Sequence, residues 1–146
     1  MKIKSIIALL LLCSWANLAH AKKNDIRWNE VLKPQYFAGK TILDGKDVIQ
    51  LSSPIRAEDP ALVPVKVTAN LGQTKDKYIK RLLLLIDNNP VPFVGEFEFT
   101  PDSGKADIAM RVRVNSYSYI RAIAEMNNGD LYMVKNYVKA SGGCSA

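Results

Sequence analysis

Histidine and cysteine are the scarcest reactive residues in this sequence, which contains one histidine, His20, and two cysteines, Cys13 and Cys144. His20 and Cys13 lie in an N-terminal stretch with the features of a signal peptide, so the mature chain would have no histidine and one cysteine. Histidine is the usual base, nucleophile activator and metal ligand near neutral pH. The composition therefore argues against Ser/His or Cys/His catalysis and against histidine-ligated zinc, copper or haem. A single cysteine also excludes an intrachain disulfide and a multi-cysteine metal site.

The N-terminus has the three parts of a secretory signal peptide. A positive start is followed by an apolar stretch at residues 6–15 and by the small-x-small cleavage pattern of residues 19–21. The apolar stretch is shorter than the roughly 20 residues that a membrane-spanning helix needs. Lipoprotein processing at Cys13 is the alternative, but Leu12 is bulkier than the small residue expected before a lipidated cysteine. We predict cleavage after Ala21 and export to the periplasm without a membrane anchor, leaving about 125 residues (146 minus 21).

The positive charge is dispersed along the chain. The formal net charge of +6 falls to about +4 once Lys2 and Lys4 are removed with the signal peptide. Arg111 and Arg113 alternate with valines, which is typical of the solvated face of a strand. An exported chain without a cluster of basic residues lacks the positively charged surface that binds a nucleic acid backbone, so we do not expect a nucleic acid partner.

Residues 25–37 predict a short helix that starts with Asp25 as N-cap and ends at Pro34. Beyond this helix the apolar residues recur with the two-residue period of β-strands, or form continuous runs. Pro64 cannot donate a ladder hydrogen bond, so its strand should lie at a sheet edge or begin there. Seven such segments are each followed by turn-forming residues: 47–54, 62–70, 78–87, 93–99, 106–114, 117–126 and 131–140.

This pattern predicts an all-β chain: an immunoglobulin-like antiparallel β-sandwich with a short N-terminal helix and a flexible C-terminal arm. The continuous apolar run at residues 82–86, in the segment 78–87, predicts a central strand of this sandwich. The expected divisions are a signal peptide at 1–21, a helix and connector at 22–45, the immunoglobulin-like domain at 46–140 and the C-terminal arm at 141–146.

The principal candidate site is Cys144, in the C-terminal sequence SGGCSA. Gly142 and Gly143 permit backbone conformations forbidden to other residues and keep the arm slim enough for a narrow cleft. Four extended residues beyond Ala140 would carry Cys144 roughly 13–14 Å from the last strand. The residues alone leave three interpretations open: a thiol that carries a covalent group, a thiol that links two chains, and an incidental cysteine. We favour the first.

Two other groups of side chains are candidate sites. Glu96 and Glu98 share one face of a predicted strand, as the carboxylates of a glycosidase or a metal site could, but we favour a solvated face. Tyrosines in strands usually pack at the margins of a sheet. Four of them could instead form an aromatic surface for a partner: Tyr117, Tyr119, Tyr132 and Tyr137.

The chain resembles SoxY, the sulfur-carrier subunit of the bacterial Sox system for thiosulfate oxidation. The resemblance rests on the segments DVIQLSSPIRAEDPALVPVKV, YIKRLLLLIDNNPVPFVGEFEF and YIRAIAEMNNGDLYMVKNYVKASGGC. It implies an immunoglobulin-like sandwich whose C-terminal cysteine, here Cys144, carries sulfur intermediates. It also implies a SoxZ partner and the presentation of the arm to haem, dimanganese and molybdenum-containing Sox enzymes.

The end of the arm departs from the SoxY pattern, because Ser145 and Ala146 stand where that family has Gly-Gly. In this respect the chain resembles the SoxYZ-like carriers associated with quinoprotein dehydrogenases, in which a SoxZ-like domain continues on the same chain. That resemblance puts thiosulfate as the cargo in question and leaves open whether a SoxZ-like domain follows Ala146.

The sequence therefore predicts a periplasmic carrier and not an enzyme. It would hold a sulfur species on Cys144, need no cofactor, and dock a SoxZ-like subunit or domain together with sulfur-oxidation or quinoprotein dehydrogenase enzymes. The alternative is a non-catalytic immunoglobulin-like interaction module of a quinoprotein dehydrogenase system, with an incidental or dimerising cysteine. A thiol enzyme acting alone is disfavoured because the mature chain offers no histidine base.

Overall fold

The structure is a computed structural model that describes residues 25–141. The chain divides into two compact units, one that ends at Ala38 and one that begins at Gly39. The described part of the first unit is helical, and all the strands belong to the second. Among the described residues, no helix combines the length and the apolar character that crossing a membrane would require.

The helical unit has a π-helical turn at Trp28–Leu32 followed by the α-helix α1 at Lys33–Phe37. The Lys33 N–H bonds to the Trp28 carbonyl oxygen, five residues back, as in a π-turn. Pro34 was expected to end the helix, and this expectation is wrong. Because Pro34 lies in the first turn of α1, where the missing N–H costs no hydrogen bond, the helix continues to Phe37.

The second unit is a sandwich of two β-sheets built from eight strands. In chain order the strands are β1 (Ile42–Asp44), β2 (Ile49–Ser52), β3 (Val63–Ala69), β4 (Ile79–Ile86), β5 (Phe93–Glu98), β6 (Ile108–Val112), β7 (Ser118–Met126) and β8 (Leu131–Val138). One sheet has the order β1-β8-β7-β4-β5 and the other the order β2-β3-β6. The prediction of an all-β, immunoglobulin-like sandwich is confirmed, and all seven predicted strands are present.

Strand β1 is the one that the sequence did not indicate. It runs parallel to β8, with Ile42 opposite Leu131, whereas every other strand pair is antiparallel. The expected connector at 22–45 therefore contains a strand of the sandwich. Gly45 follows this strand and donates its N–H to the Met133 carbonyl oxygen at 2.9 Å. A Cβ at Gly45 would lie 2.9 Å from the Met133 backbone, so a larger residue could not approach β8 this closely.

Strand β3 is the middle strand of its sheet, so of the two positions expected for Pro64, a sheet edge or the beginning of a strand, the second is observed: Pro64 is the second residue of β3. The explanation lies in the register. Pro64 pairs with Arg111 of β6, whereas β2 pairs only with residues 66–69 of β3. The sheet is therefore only two strands wide at Pro64, and a proline that donates no ladder bond is tolerated there.

The main core lies between the two sheets. Val63, Val65, Val67 and Ala69 alternate inward along β3, as predicted. Strand β4 is paired on both sides, and its residues 82–86 are buried on both faces. A β-bulge between β4 and β5 lets Val94 pack against this core together with Phe97, so the strict alternation expected for β5 is broken.

The hairpin between β7 and β8 follows the predicted Asn-Gly turn. Gly129 has φ of 91° and donates its N–H to the Met126 carbonyl oxygen at 2.9 Å. The positive φ suits glycine. The turn fixes the register of the two strands, so Tyr119 lies opposite Tyr137 and Arg121 opposite Lys135.

Candidate functional site

The base of the C-terminal segment is fixed to the sandwich up to Ala140. Lys139 forms a parallel β-bridge with Arg56, in which the Lys139 N–H donates to the Ile55 carbonyl oxygen at 2.8 Å. The Ala57 N–H donates in turn to the Lys139 carbonyl oxygen at 3.1 Å. Ala140 is 1% exposed and belongs to the core between the sheets. The segment that carries the cysteine therefore starts from an anchored point.

The three residues on which the sequence prediction rests, Gly142, Gly143 and Cys144, lie outside the described residues. Their roles as a flexible arm and a covalent carrier stay predictions. The last described residue, Ser141, is exposed. Cys144 is three residues further along, so its Cα lies at most about 11 Å from that of Ser141.

The two glutamates of β5 do not form a carboxylate pair. Glu96 binds the Arg81 guanidinium through an ion pair of 2.8 Å, and Arg81 also binds Glu125. Hydrogen bonds to Glu125 first, and then to Glu96, raise the pKa of Arg81. Glu98 is exposed. Glu96 is thus part of an ion-paired network on the sheet, and Glu98 is solvated, as we favoured for this face.

The tyrosines do not form one surface. Tyr119 and Tyr137 pair across β7 and β8 with their ring centroids 5.1 Å apart, and the Lys135 Nζ lies 4.5 Å from the Tyr119 ring centroid. Tyr132 lies opposite Ala124 and packs against the core between the sheets, so it belongs to the other face. The predicted aromatic surface is therefore reduced to a cluster around Tyr119, Tyr137 and the neighbouring Tyr117.

The surroundings of Tyr137 in this cluster should raise the pH at which its phenol ionises. Burial, and then the neighbouring Tyr119 and Tyr117, raise the pKa of its phenol above the ordinary value of 10.0. Because the folded pKa is the higher one, the contribution of Tyr137 to stability is complete below pH 10 and is lost as the pH rises through the folded pKa. We expect the tyrosinate absorbance that Tyr137→Phe removes to appear above pH 10 in the native protein and near pH 10 in denaturant. Equal midpoints in the two conditions would contradict this prediction.

Arg121 and Asp87 form a buried ion pair that the sequence analysis missed. Both residues are 0% exposed. Arg121 donates from Nε to Asp87 Oδ1 and from Nη2 to Asp87 Oδ2, each at 2.8 Å. The signal was a single arginine inside the apolar stretch YIRAIAEM. Its partner could not be found from the sequence, because Asp87 is 34 residues away.

The sandwich also has a cleft of about 850 Å³ between the β1–β8 edge of one sheet and β2 of the other. Its lining is mixed, with aliphatic side chains such as Leu43 and Leu51 beside Lys46 and Asn70. Asn136 bridges the two sheets there through a hydrogen bond from Nδ2 to the Leu51 carbonyl oxygen at 2.9 Å. Within residues 25–141, no cluster of three or more His, Cys, Asp or Glu side chains is placed to hold a metal ion.

The comparison with protein families decides the assignment. Residues 33–144 match the sequence profile described as sulfur oxidation protein SoxY. The chain belongs to the SoxY family. This match covers the helix α1, the sandwich and the segment up to Cys144. No curated protein sequence matches the chain significantly.

Solved structures support the SoxY fold. The chain is similar to the sulfur carrier protein SoxY from Chlorobium limicola f thiosulfatophilum, with a TM-score of 0.61 and 21% identity over 79% of this chain and 96% of that one. It is also similar to a variant of superoxide reductase (neelaredoxin) from Ignicoccus hospitalis, with a TM-score of 0.58 and 15% identity over 66% of this chain and 82% of that one. At these identities the likeness is one of fold.

Proposed function

We propose that this SoxY-family chain is a periplasmic carrier that holds sulfur intermediates covalently on Cys144 and presents them to partner enzymes. The observation that carries the proposal is the construction of the C-terminal segment. Lys139 and Ala140 are anchored in the sandwich, and the thiol follows only four residues after Ala140. Because the segment is anchored at Ala140, the thiol stays close to a fixed point of the sandwich. This arrangement suits a carrier that inserts a covalently bound group into the cleft of another protein.

The chemistry of loading requires a partner. A bond between Cys144 Sγ and a sulfur atom of the cargo forms with loss of the thiol proton and of two electrons, which the partner enzyme must accept. The sequence supplies no imidazole base after residue 21. A thiol near its ordinary pKa of about 8.5 is mostly protonated at pH 7. These features favour a carrier over an enzyme, although superoxide reductases share the fold.

The proposed partners are a SoxZ-like subunit or domain and the periplasmic enzymes of sulfur oxidation. The terminal Ser145 and Ala146, which differ from the SoxY pattern, suggest enzymes of a quinoprotein dehydrogenase system as an alternative set. In either case the carrier itself would need no cofactor, because the covalent adduct on Cys144 is the cargo.

Intact-mass spectrometry of the protein purified from its source tests the proposal. We expect a species that has lost the first 21 residues and carries a sulfur adduct that a thiol reductant removes. The Cys144→Ser variant should carry none, and the cells should show the phenotype of a gene deletion. Absence of any adduct on the wild-type protein, together with a normal phenotype for Cys144→Ser, would refute the carrier. A stable dimer on non-reducing electrophoresis would instead support the interaction module with a dimerising cysteine.

A further inference from the structure

We propose that the end of the sandwich from which the C-terminal segment leaves is the docking surface for the enzyme that loads or unloads Cys144. This inference rests on the proposed carrier function and adds a binding surface to it. We call the three exposed aliphatic residues at this end, Ile55, Leu62 and Val91, the exit surface. The proposed occupant is the rim of a catalytic cleft, and this rim should be apolar.

The exit surface contains the most exposed large hydrophobic residues of the described chain. Ile55 is 76% exposed, Val91 71% and Leu62 56%. A single exposed aliphatic residue is ordinary, but three on the loops at the same end of a domain are unusual and favour an interaction surface there. One other large hydrophobic residue described in the sandwich unit is exposed. This residue, Leu43, is 45% exposed and lies on β1 beside the start of β8, whereas the C-terminal segment leaves from the end of β8.

Hydrogen bonds join the loops that carry these residues at one end of the sandwich. The Lys139 N–H binds the Ile55 carbonyl oxygen at 2.8 Å, which places Ile55 at the base of the segment that carries Cys144. The loop that leads to Leu62 is held by the Val114 N–H, which donates to the Pro60 carbonyl oxygen at 2.8 Å.

The hairpin that carries Val91 is tied to the same end. Asn89 donates from Nδ2 to the Arg113 carbonyl oxygen at 2.8 Å and accepts from the Asn115 N–H at 3.0 Å. The Ile86 N–H donates to the Pro92 carbonyl oxygen at 2.8 Å and closes the hairpin. The three exposed side chains are therefore held on a preformed scaffold, so that docking would not need to order these loops.

The short reach of the thiol makes contact at this end unavoidable. With Ala140 buried and Ser141 the first exposed residue, the Cα of Cys144 cannot move more than about 11 Å from that of Ser141. An enzyme whose reacting group lies inside a cleft must bring the rim of that cleft to this end of the sandwich, where Ile55 lies at the base of the segment, before it reaches Sγ. Apolar side chains at that rim would be removed from water as the cleft closes over the arm.

The charges at this end are mixed, so apolar contact is the stronger basis for docking. Arg56 and Arg113 are exposed there, and Glu58 and Asp59 are exposed in the same loop as Arg56. Lys139, at the base of the C-terminal segment, adds a partly exposed positive charge, so both signs are present at this end. We therefore expect loading of Cys144 to depend only weakly on ionic strength.

The test replaces Ile55, Leu62 and Val91 by serine, singly and together, in the chromosomal gene of the source organism. Cells are treated with a permeant thiol reductant, the reductant is washed out, and the return of the adduct on Cys144 is followed by intact-mass spectrometry. We expect the triple variant to regain the adduct roughly tenfold more slowly than the wild type, as for the loss of an interface hot spot. Leu43→Ser, an exposed aliphatic residue at another place, is the matched control and should behave as the wild type.

The outcomes separate this inference from the proposed function. If the wild-type protein never carries an adduct, the carrier function itself fails. If it does, and the triple variant reloads at the wild-type rate or Leu43→Ser is equally slow, the docking surface is wrong. Loss of a stable partner subunit from the triple variant on size-exclusion chromatography would assign the surface to that subunit and also overturn the inference. Alkylation of Cys144 by iodoacetamide and the unfolding midpoint should not change, since neither requires docking.

Discussion

Replacing Arg121 by methionine should lower the free energy of unfolding by about 3–5 kcal/mol. The side chains of Arg121 and Asp87 are 1% and 0% exposed, and the guanidinium satisfies both carboxylate oxygens of Asp87. Methionine retains much of the apolar stem but removes the guanidinium that binds both oxygens of the buried Asp87 carboxylate, and breaking a buried ion pair by removing one partner is very costly. Chemical denaturation monitored by circular dichroism measures the change.

Two further variants distinguish the loss of the Arg121–Asp87 ion pair from a general loss of packing. Lys46→Met removes a lysine paired with Asp44, but both side chains are largely exposed, at 82% and 67%, so no measurable change is expected. The double variant Asp87→Leu with Arg121→Met removes both charges and should be more stable than Arg121→Met alone. A double variant as unstable as the single one would show that the lost stability does not come from breaking the buried ion pair.

Leu84→Ala should lower the free energy of unfolding by about 2–5 kcal/mol, the range for a leucine removed from a packed core. Leu84 is 0% exposed and lies on β4, which is paired with both β5 and β7. Hydrogen bonds on both sides hold this strand, so the backbone cannot move to fill the cavity. Thermal and denaturant unfolding of the purified variant test the expected loss.

The matched control is Leu43→Ala, which removes the same atoms from a site that is 45% exposed. We expect a loss of about 1 kcal/mol or less there, because nearly half of the residue's surface is already in water and no closed cavity forms. Equal losses for the two variants would contradict the assignment of Leu84 to the main core.

The strands were predictable where the spacing of apolar residues along the sequence indicates which faces are buried. The alternation of Val63, Val65 and Val67 places one face of β3 inward, and residues 82–86 are apolar throughout because both faces of β4 are buried. Strand β1 has no such pattern of apolar residues. It has three residues, only partly buried or exposed, and it is held by parallel pairing with β8, almost 90 residues later. A contact at that separation is not visible in a local pattern.

The sequence selects a candidate site, whose role stays a prediction. Cys144 is the single cysteine outside the predicted signal peptide, so composition alone selects it. The anchoring of Lys139 beside Arg56 and the pairing of Arg121 with Asp87 were not predictable, because each joins segments that are far apart in the sequence. The sequence left two positions open for Pro64 for the same reason, since the width of the sheet at that point depends on where β2 ends.

The parallel bridge between Arg56 and Lys139 has a kinetic consequence for the proposed carrier. With Ala140 fixed in the core, four residues confine Cys144 to within about 14 Å of a single point. For an enzyme docked at the exit surface, so short a tether gives the thiol an effective concentration on the order of millimolar or more. Reaction inside the cleft would then need no tight binding of the cargo itself. The carrier could dissociate quickly after each transfer and move between successive enzymes.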